Sequence, residues 1–309
     1  MEKLADVRRR MRSVAGIGEV CRTLATVASA KLAQTHERAR GARTYSATLR
    51  GMLARQQDAA TADGIELATL SPLMAPHRTV GRIEMLVVGA DRGLCGGYNI
   101  ALGREARAFA RAREAEGVEV TAVVKGRRAE TYLRRATRVP IAEASGWTRA
   151  GVTADEVDAL LARLVSDFLS GRVDEVWASY TEFISSMRRE PTSVRLLPVM
   201  PQSLGETEEG PSRPHDWYYE PDRQRCVAEL LRAFVRLQVE DVLLEAFASE
   251  QAARMVTMQE ASERADRSLA ELRVHYNRLR RESITADLVG VLVAGRVREG
   301  VEEDVEQRA

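Results

Sequence analysis

The sequence predicts an α+β fold in which long N- and C-terminal helices pair as an antiparallel coiled coil around an inserted, small, Rossmann-like α/β domain. Three observations predict this fold. Apolar and small residues form a heptad-like seam near the N-terminus, and a central region alternates between strand and helix patterns. The third observation is a stretch without glycine or proline from residue 222 to residue 289. We therefore expect a rod with a globular knob on one side.

Residues 1–56 are predicted to form the first shaft helix. Its seam residues recur at alternating steps of three and four: Leu4, Val7, Met11, Val14, Gly18, Cys21, Ala25, Ala28 and Leu32. Small residues in such a seam allow two helices to approach closely. Gly16 and Gly18 are unfavourable in a helix interior and are candidates for a bend. A connector containing Pro72 and Pro76 is predicted over residues 57–79.

Residues 80–200 are predicted to form the α/β domain. Ile83 to Gly89 is a continuous apolar run, which is typical of a strand buried on both faces. Further strands are predicted over 118–124, 173–181 and 193–199, and helices over 101–116 and 153–170. Because strands alternate with helices, the sheet is expected to be mostly parallel.

The C-terminal third is predicted to be a second shaft helix. A proline-rich connector over 201–221 precedes it, and the helix itself is predicted over 222–296. At 1.5 Å per residue, its uninterrupted part would be about 100 Å long, so it needs a partner along its length or a sleeve around it. An acidic tail over 297–309 is expected to fray.

Composition excludes several classes of function. The chain has 309 residues and a formal net charge of +1, which argues against a protein that binds nucleic acid with its whole surface. All but three of the 46 basic residues are arginine, and none of the lysines follows a glycine, so the chain has no Walker phosphate loop. The three cysteines are far apart and indicate neither a disulfide framework nor a zinc site, which fits a reduced, cytosolic compartment. We expect no signal peptide and no membrane-spanning helix.

The run from Asp91 to Gly97 is the main candidate for a ligand site. Its glycines could cradle a phosphate, but their spacing differs from the dinucleotide fingerprint, so a tight turn is the favoured reading. Cys95 could be a nucleophile, although a structural role is favoured because no histidine is expected nearby. The acidic residues 302–304 are more typical of a solvated surface than of a cation site. The basic first helix is more typical of a helix that meets an acidic protein partner than of one that binds RNA. No catalytic, cofactor-binding or metal-ligating residue is predicted.

Several motifs, in order along the chain, resemble the γ subunit of rotary F-type ATP synthases. The most specific is the run from Ala248 to Met258, which reads ASEQAARMVTM. The others are Asp91 to Asn99, Leu196-Leu197-Pro198 ahead of Tyr219-Glu220-Pro221, and Tyr276-Asn277 followed by Ser283-Ile284-Thr285. The first helix also matches at Val7, Arg8, Ser13, Val14, Val27, Ala28 and Lys31.

The resemblance implies a rotor subunit that does no bond chemistry and carries no cofactor. Its terminal helices would form the central shaft within three α and three β subunits, and its knob would rest on the ε subunit and the membrane c-ring. Rotation of the shaft would force the catalytic β subunits through different affinities. The chain would be peripheral, on the cytoplasmic face of the bacterial inner membrane, and would bind neither nucleic acid nor a small-molecule substrate. The coupling ion, H⁺ or Na⁺, stays open.

The resemblance also implies which side chains contact the β subunits. They lie on the two terminal helices and are Arg8, Arg9, Arg12, Arg254, Arg280, Arg281 and Thr285. Departures from the family pattern at residues 15–21, at Leu24 and at Glu263-Arg264 suggest a divergent or alternate copy of the enzyme. Two other hypotheses remain: a free coiled-coil adaptor with an α/β reader domain, and a small-molecule enzyme that uses the Gly93–Gly97 loop.

Overall fold

The computed structural model describes residues 4–65, 69–77, 79–148, 151–200 and 218–306. The chain divides into two compact units. The shaft-end unit contains residues up to Ala25 and from Met258 onward, and the α/β unit contains Thr26–Thr257.

Two long helices flank the rest of the chain in sequence, α1 (Leu4–Ala62) and α5 (Arg223–Glu306). Between them, the described residues form β1 (Arg82–Val88), α2 (Tyr98–Ala115), β2 (Glu119–Lys125), α3 (Arg127–Ala136), β3 (Ile141–Ser145), α4 (Ala154–Leu169), β4 (Glu175–Phe183) and β5 (Arg189–Leu197). Within the α/β unit, Leu32 packs against Ala252 while Asp63, just beyond α1, pairs with Arg223 at 2.6 Å, so α1 and α5 run antiparallel. The predicted fold class is confirmed.

The five strands form one sheet in the order β3-β2-β1-β4-β5. β1 pairs in parallel with β2 and β4, and β2 pairs in parallel with β3. Only β5 is antiparallel, to β4. The mostly parallel sheet therefore agrees with the sequence prediction, and its order reverses between β1 and β4.

Alternate residues of the sheet pack into two different apolar clusters. Ile83, Met85 and Val87 of β1 pack with residues of α2 and α3, whereas Leu86 and Val88 pack with residues of α1, α4 and α5. Successive side chains of a strand point to opposite faces, so α2 and α3 cover one face and the long helices and α4 cover the other. Both faces of a central strand such as β1 are buried for this reason.

The sequence prediction missed α3 and β3. α3 is short and rich in arginine, and it buries only Ala129 and Leu133, so it offers few apolar residues from which to recognise a helix. β3 is an edge strand with mostly exposed side chains, and it lacks the apolar run that identified β1.

The ends of both long helices also differ from the prediction. α1 continues past residue 56 to Ala62 because Ala60 is buried in the core of the α/β unit, so the predicted connector 57–79 starts too early. α5 remains helical to Glu306, so the acidic tail predicted to fray from residue 297 is largely helix. Most of the predicted connector 201–221, residues 201–217, lies outside the described residues.

In the shaft-end unit, the two helices approach closely at Gly18. A Cβ atom placed on Gly18 would lie 3.2 Å from the Cβ atom of Ala265, and the Ser262 hydroxyl donates to the Gly18 carbonyl at 3.3 Å. Arg22 and Asp266 form an ion pair at 3.1 Å beside this contact. Gly18 thus serves as a small residue in the helix seam, whereas nothing lies within 4 Å of the position of a Cβ atom on Gly16.

In the α/β unit, Asp174 holds the start of the sheet together. Its carboxylate accepts hydrogen bonds from the backbone N–H groups of Gly81 and Arg82 at 2.9 and 2.8 Å, and its other oxygen lies 2.8 Å from His77 Nδ1. Burial acts to raise the pKa of Asp174, but these hydrogen bonds outweigh it and hold the pKa below the ordinary value. The carboxylate therefore stabilises the fold in its ionised form.

We expect Asp174→Asn to lower the free energy of unfolding by about 2 kcal/mol at pH 7, because hydrogen bonds to a charged group are lost. Since the folded-state pKa is depressed, this contribution is present above the ordinary value of 3.8 and disappears as pH falls through the lower folded-state pKa. Urea unfolding of both proteins from pH 7 down to pH 3 measures the difference. Asp63→Asn, at a carboxylate that is 57% exposed, is the control and should cost less than about 1 kcal/mol. Equal stability of wild type and Asp174→Asn at pH 7 would contradict this role.

Candidate functional site

The glycine loop, defined as Asp91–Gly97, lies between β1 and α2 at the carboxyl edge of the sheet. Its first residue is fixed from two sides, because the Asp91 carboxylate accepts from the backbone N–H groups of Arg127 and Trp147 at 2.9 and 3.0 Å. Past the other end of the loop, Asn99 Oδ1 accepts from the Ala90 N–H at 3.0 Å. Two residues of the loop have left-handed backbone conformations, Leu94 with φ 65° and Gly96 with φ 58°. The loop is therefore a tight, hydrogen-bonded turn.

Helix α5 packs directly on the glycine loop. Ala253 of α5 forms a buried apolar cluster with Ala90, Cys95 and Tyr98. The Tyr98 hydroxyl donates to the carbonyl of Ala246 in α5 at 2.9 Å. Because open α/β sheets bind ligands outside the carboxyl ends of the strands where the strand order reverses, α5 fills the place that a nucleotide would need.

Glycine at position 96 permits this close approach. A Cβ atom on Gly96 would lie 2.9 Å from the Thr257 hydroxyl oxygen, and the positive φ is itself strained for other residues. The structure therefore favours the tight-turn reading of the glycines over a phosphate cradle.

Cys95 is buried with 3% exposure. Burial raises the pKa of its thiol, with Arg254 only partly offsetting that effect. Because the thiolate is the nucleophilic form, a raised pKa disfavours covalent catalysis at this residue. Cys95 packs as a small apolar side chain between the loop and α5, which matches the structural role favoured from the sequence.

A buried ion pair completes the contact between α5 and the glycine loop. Arg254 Nη2 lies 2.7 Å from Glu250 Oε1 and donates to the carbonyls of Arg92 and Gly93, each at 3.4 Å. The side chains of Arg254 and Glu250 are only 12% and 6% exposed. Burial raises the pKa of Glu250, and the charge of Arg254 opposes this shift.

The residues predicted to contact a partner fall into two groups. Six of them have exposed side chains: Arg8, Arg9, Arg12, Arg280, Arg281 and Thr285. Arg254 differs because its side chain is only 12% exposed and is held by Glu250 and by the glycine loop. Sequence reasoning identified Arg254 but missed its neighbour Glu250, although the two lie one helical turn apart within the same motif. Tyr98 and Thr257 were also missed, since their contacts join segments far apart in sequence.

A second candidate is a cavity of about 610 Å³ between α4 and the sheet. Its wall carries charged side chains that pair with one another. Lys125 lies 2.9 Å from Glu156, Arg172 lies 3.1 Å from Asp167, and Arg163 contacts Glu84, Glu143 and Asp167. Burial raises the pKa of Glu84, and the hydrogen bond from Arg163 opposes the shift. Three cations therefore face four carboxylates, and each cation is already paired within the chain.

Among the described residues there is no candidate for metal ligation or for crossing a membrane. No cluster of three or more histidine, cysteine, aspartate or glutamate side chains is arranged to hold a metal ion. No helix there has an apolar stretch long enough to cross a membrane.

A protein-family model described as ATP synthase matches residues 3–295. The ATP synthase gamma chain of Dehalococcoides mccartyi (strain CBDB1) is 34% identical over 294 residues, covering 94% of this chain and 98% of the relative. The gamma chain of Geotalea daltonii is 32% identical over 295 residues, covering 94% of this chain and 97% of the relative. The chain belongs to the ATP synthase gamma chain family.

Solved structures share the fold of this gamma chain. A chain in the Euglena gracilis mitochondrial ATP synthase, in a structure of its OSCP, F1 and c-ring in rotational state 3, matches with a TM-score of 0.66 and 16% identity, covering 97% of this chain and 95% of that one. A chain from the rotor of the same enzyme matches with a TM-score of 0.61 and 16% identity, covering 91% of this chain and 98% of that one. Family membership confirms the resemblance drawn from the motifs. As a gamma chain, this protein is a central-shaft subunit of an ATP synthase and is not itself catalytic.

We expect Gly96→Ala to destabilise the α/β unit of this gamma chain by about 1–2 kcal/mol from backbone strain alone, with a further cost from the contact with Thr257. Adding Thr257→Ala should recover the contact cost and leave the strain. Gly97→Ala is the matched control, since Gly97 has φ −83° and no atom within 4 Å of a Cβ position. Only its place as N-cap of α2 is affected, so the cost should stay below about 1 kcal/mol. Chemical denaturation measures all four proteins. Equal costs for Gly96→Ala and Gly97→Ala would show that α5 does not depend on this close approach.

Proposed function

We propose that this gamma chain is the rotor that couples ion-driven rotation to conformational change in three catalytic β subunits, which alternate with three α subunits around it. Its α/β unit would rest on the ε subunit and the membrane c-ring. The complex would lie on the cytoplasmic face of a bacterial inner membrane and would translocate H⁺ or Na⁺, with the ion selected by the membrane subunits.

The single observation that carries the proposal is that α5, in a chain of this family, is anchored in a folded core at one end and exposes apolar side chains near the other. The helix has 84 residues and is rooted in the core of the α/β unit through side chains such as Val227, Leu231 and Phe234. In the shaft-end unit, the same helix exposes Ile284, Leu288, Val291 and Leu292. A soluble protein rarely leaves such an apolar row uncovered, so a sleeve formed by other subunits is expected around it.

The mechanism follows from the asymmetry of this helical surface. A shaft whose side chains differ from one face to another contacts each surrounding subunit differently. It therefore biases the open and closed states of each catalytic subunit by the difference in contact free energy, and turning the shaft moves that bias from one subunit to the next. The chain needs no reacting group for this role.

The exposed side chains Arg8, Arg9, Arg12, Arg280, Arg281 and Thr285 are proposed to meet acidic loops of the β subunits. Arginine suits this task because its charge does not titrate and its guanidinium group binds carboxylates with two parallel hydrogen bonds. Such contacts set register and association rate more than affinity. Arg254, which the sequence placed in the same set, is buried against its own chain, and a contact with β would require the Glu250 pair to rearrange.

We expect the double variant Arg280→Ala/Arg281→Ala to assemble with α and β roughly three- to tenfold more slowly at low salt, with a smaller difference at high salt, because screening weakens charge steering. Assembly of purified chains followed by light scattering measures the rate, and ion pumping per ATP hydrolysed in the reconstituted enzyme measures coupling, which should fall. The control is Arg107→Ala/Arg111→Ala, two exposed arginines on α2.

Two outcomes would contradict the proposal. If the wild-type chain forms no complex with α and β subunits, the rotor role is wrong and the free adaptor hypothesis gains. If the Arg280/Arg281 variant assembles and pumps like wild type, those residues are not partner contacts.

A further inference from the structure

The contact between α5 and the glycine loop lies at the end of the α/β unit. The unit ends at Thr257, and Arg254 lies less than one helical turn before that residue. Earlier parts of α5 are held by a broad apolar core, which includes Leu237, Val242 and Leu243. The loop contact is therefore the last set of interactions between α5 and the α/β unit before the helix passes out of it.

This contact combines shape with charge. Apolar packing is supplied by Ala253 against Cys95 and Tyr98, and the Tyr98 hydroxyl fixes the Ala246 carbonyl. Close packing and the Tyr98 hydrogen bond already limit rotation of the helix. Arg254 adds a charged, directional contact between the helix and the loop.

Arg254 reaches three acceptors that belong to two elements. Its Nη2 atom lies 2.7 Å from Glu250 on α5 and 3.4 Å from the carbonyls of Arg92 and Gly93 on the loop. At 3.4 Å each carbonyl contact is weak on its own, but both point at a charged donor that is largely removed from water. Glu250 orients the guanidinium group and balances its charge.

The Glu250 carboxylate and the Arg254 guanidinium group are too buried to act mainly at an outer surface. Glu250 is 6% exposed, and its surroundings include Asp91 and Lys31 as further charged groups of the same unit. Asp91 is itself fixed by the N–H groups of Arg127 and Trp147. The pair thus belongs to a charged cluster that lies inside the chain and rests on the framework of the sheet.

We propose that Arg254 and Glu250 are positioning residues that fix the rotational setting of α5 on the glycine loop, so that torque passes between the α/β unit and the shaft without slippage. The proposal rests on the rotor function proposed above and assigns the joint through which that rotor acts. Glu250 would then affect coupling from a position buried inside its own chain. Arg254 acts primarily through its own chain.

The experiment compares three variants at the joint with one matched control. Arg254→Gln and Glu250→Gln each remove one charge, and Arg254→Lys keeps the charge but removes the forked geometry. The control is Arg264→Gln, because Arg264 and Glu260 form a pair of the same spacing on the same helix, with side chains 72% and 56% exposed. Arg254→Lys and Glu250→Gln are mild changes, so these two variants can still be compared with wild type if Arg254→Gln fails to fold.

The first measurement uses the isolated chain. Hydrogen exchange at the backbone amides of Ala90 and Tyr98, which flank the loop and donate hydrogen bonds to Asn99 and to the Cys95 carbonyl, should become about tenfold faster in Arg254→Gln and Glu250→Gln and less so in Arg254→Lys. A tenfold change corresponds to losing about 1.4 kcal/mol of local stability. The Arg254→Gln/Glu250→Gln double variant should exchange about as fast as either single variant, since both act on one interaction. Arg264→Gln should exchange like wild type.

The second measurement uses the enzyme reconstituted with its partner subunits. We expect the joint variants to lower the number of ions pumped per ATP hydrolysed by about half, while the rate of ATP hydrolysis changes less. A purely structural role would change the yield of assembled enzyme and leave this ratio intact. Arg254→Lys is expected to retain part of the coupling that Arg254→Gln loses.

Three results would overturn the proposal. If Arg254→Gln impairs coupling while Glu250→Gln leaves both exchange and coupling unchanged, Arg254 acts as a partner contact. If the joint variants loosen the loop but pump normally, the joint carries no torque, and the rotor function stands without it. If the wild-type chain does not assemble with α and β at all, the rotor function itself fails, whatever the exchange rates show.

Discussion

The close approach of α5 to the carboxyl edge of the sheet is the constraint on which the rest of the α/β unit depends. A helix of 84 residues cannot be stabilised by one compact core, yet part of it has to be fixed to a folded unit. The sequence meets this requirement with small or conformationally permissive residues at the contact, such as Gly96 and Ala253, and with Tyr98 as a buried hydrogen-bond donor. Bulkier residues there would move the helix away from the loop. The carbonyls of Arg92 and Gly93 would then lose the charged donor that now faces them.

The same contact occupies the edge of the sheet at which Rossmann-like folds often bind a nucleotide. The strand order reverses between β1 and β4, and the loop after β1 is rich in glycine, as in many folds that bind phosphates. Here the glycines allow a helix of the same chain to approach. In this chain the glycine loop anchors α5 to the sheet, which illustrates that function has to be argued from the contacts at a site.

Much of the fold could be predicted from the sequence because its signals are local. The absence of glycine and proline over residues 222–289 identified α5, and the apolar run from Ile83 identified the central strand. α3 and β3 were not predicted because both are short and few of their side chains are buried, which leaves few apolar positions to recognise. At the site, the motif containing Arg254 was recognisable, but its acceptors at Arg92 and Gly93 lie about 160 residues away in sequence, so no local pattern reveals them. The exposed partner arginines remain predictions, because the side chains that would contact them belong to other subunits.

Arginine serves two different physical purposes in this chain, and burial separates them. Arg163 contacts three carboxylates that approach from different elements, and Arg254 contacts one carboxylate and two carbonyls. A planar group with five donors can serve such divergent acceptors, whereas an ammonium group is a compact charge that lacks this fixed geometry. Lys125, which is also buried, is satisfied by one carboxylate and one carbonyl. On the exposed helix faces, by contrast, arginine contributes charge and reach, and its fixed geometry matters there only where a partner carboxylate is bound. The preference for arginine therefore has a structural cause at the buried positions, and those are the positions at which the α/β unit holds its sheet, its loop and its long helix together.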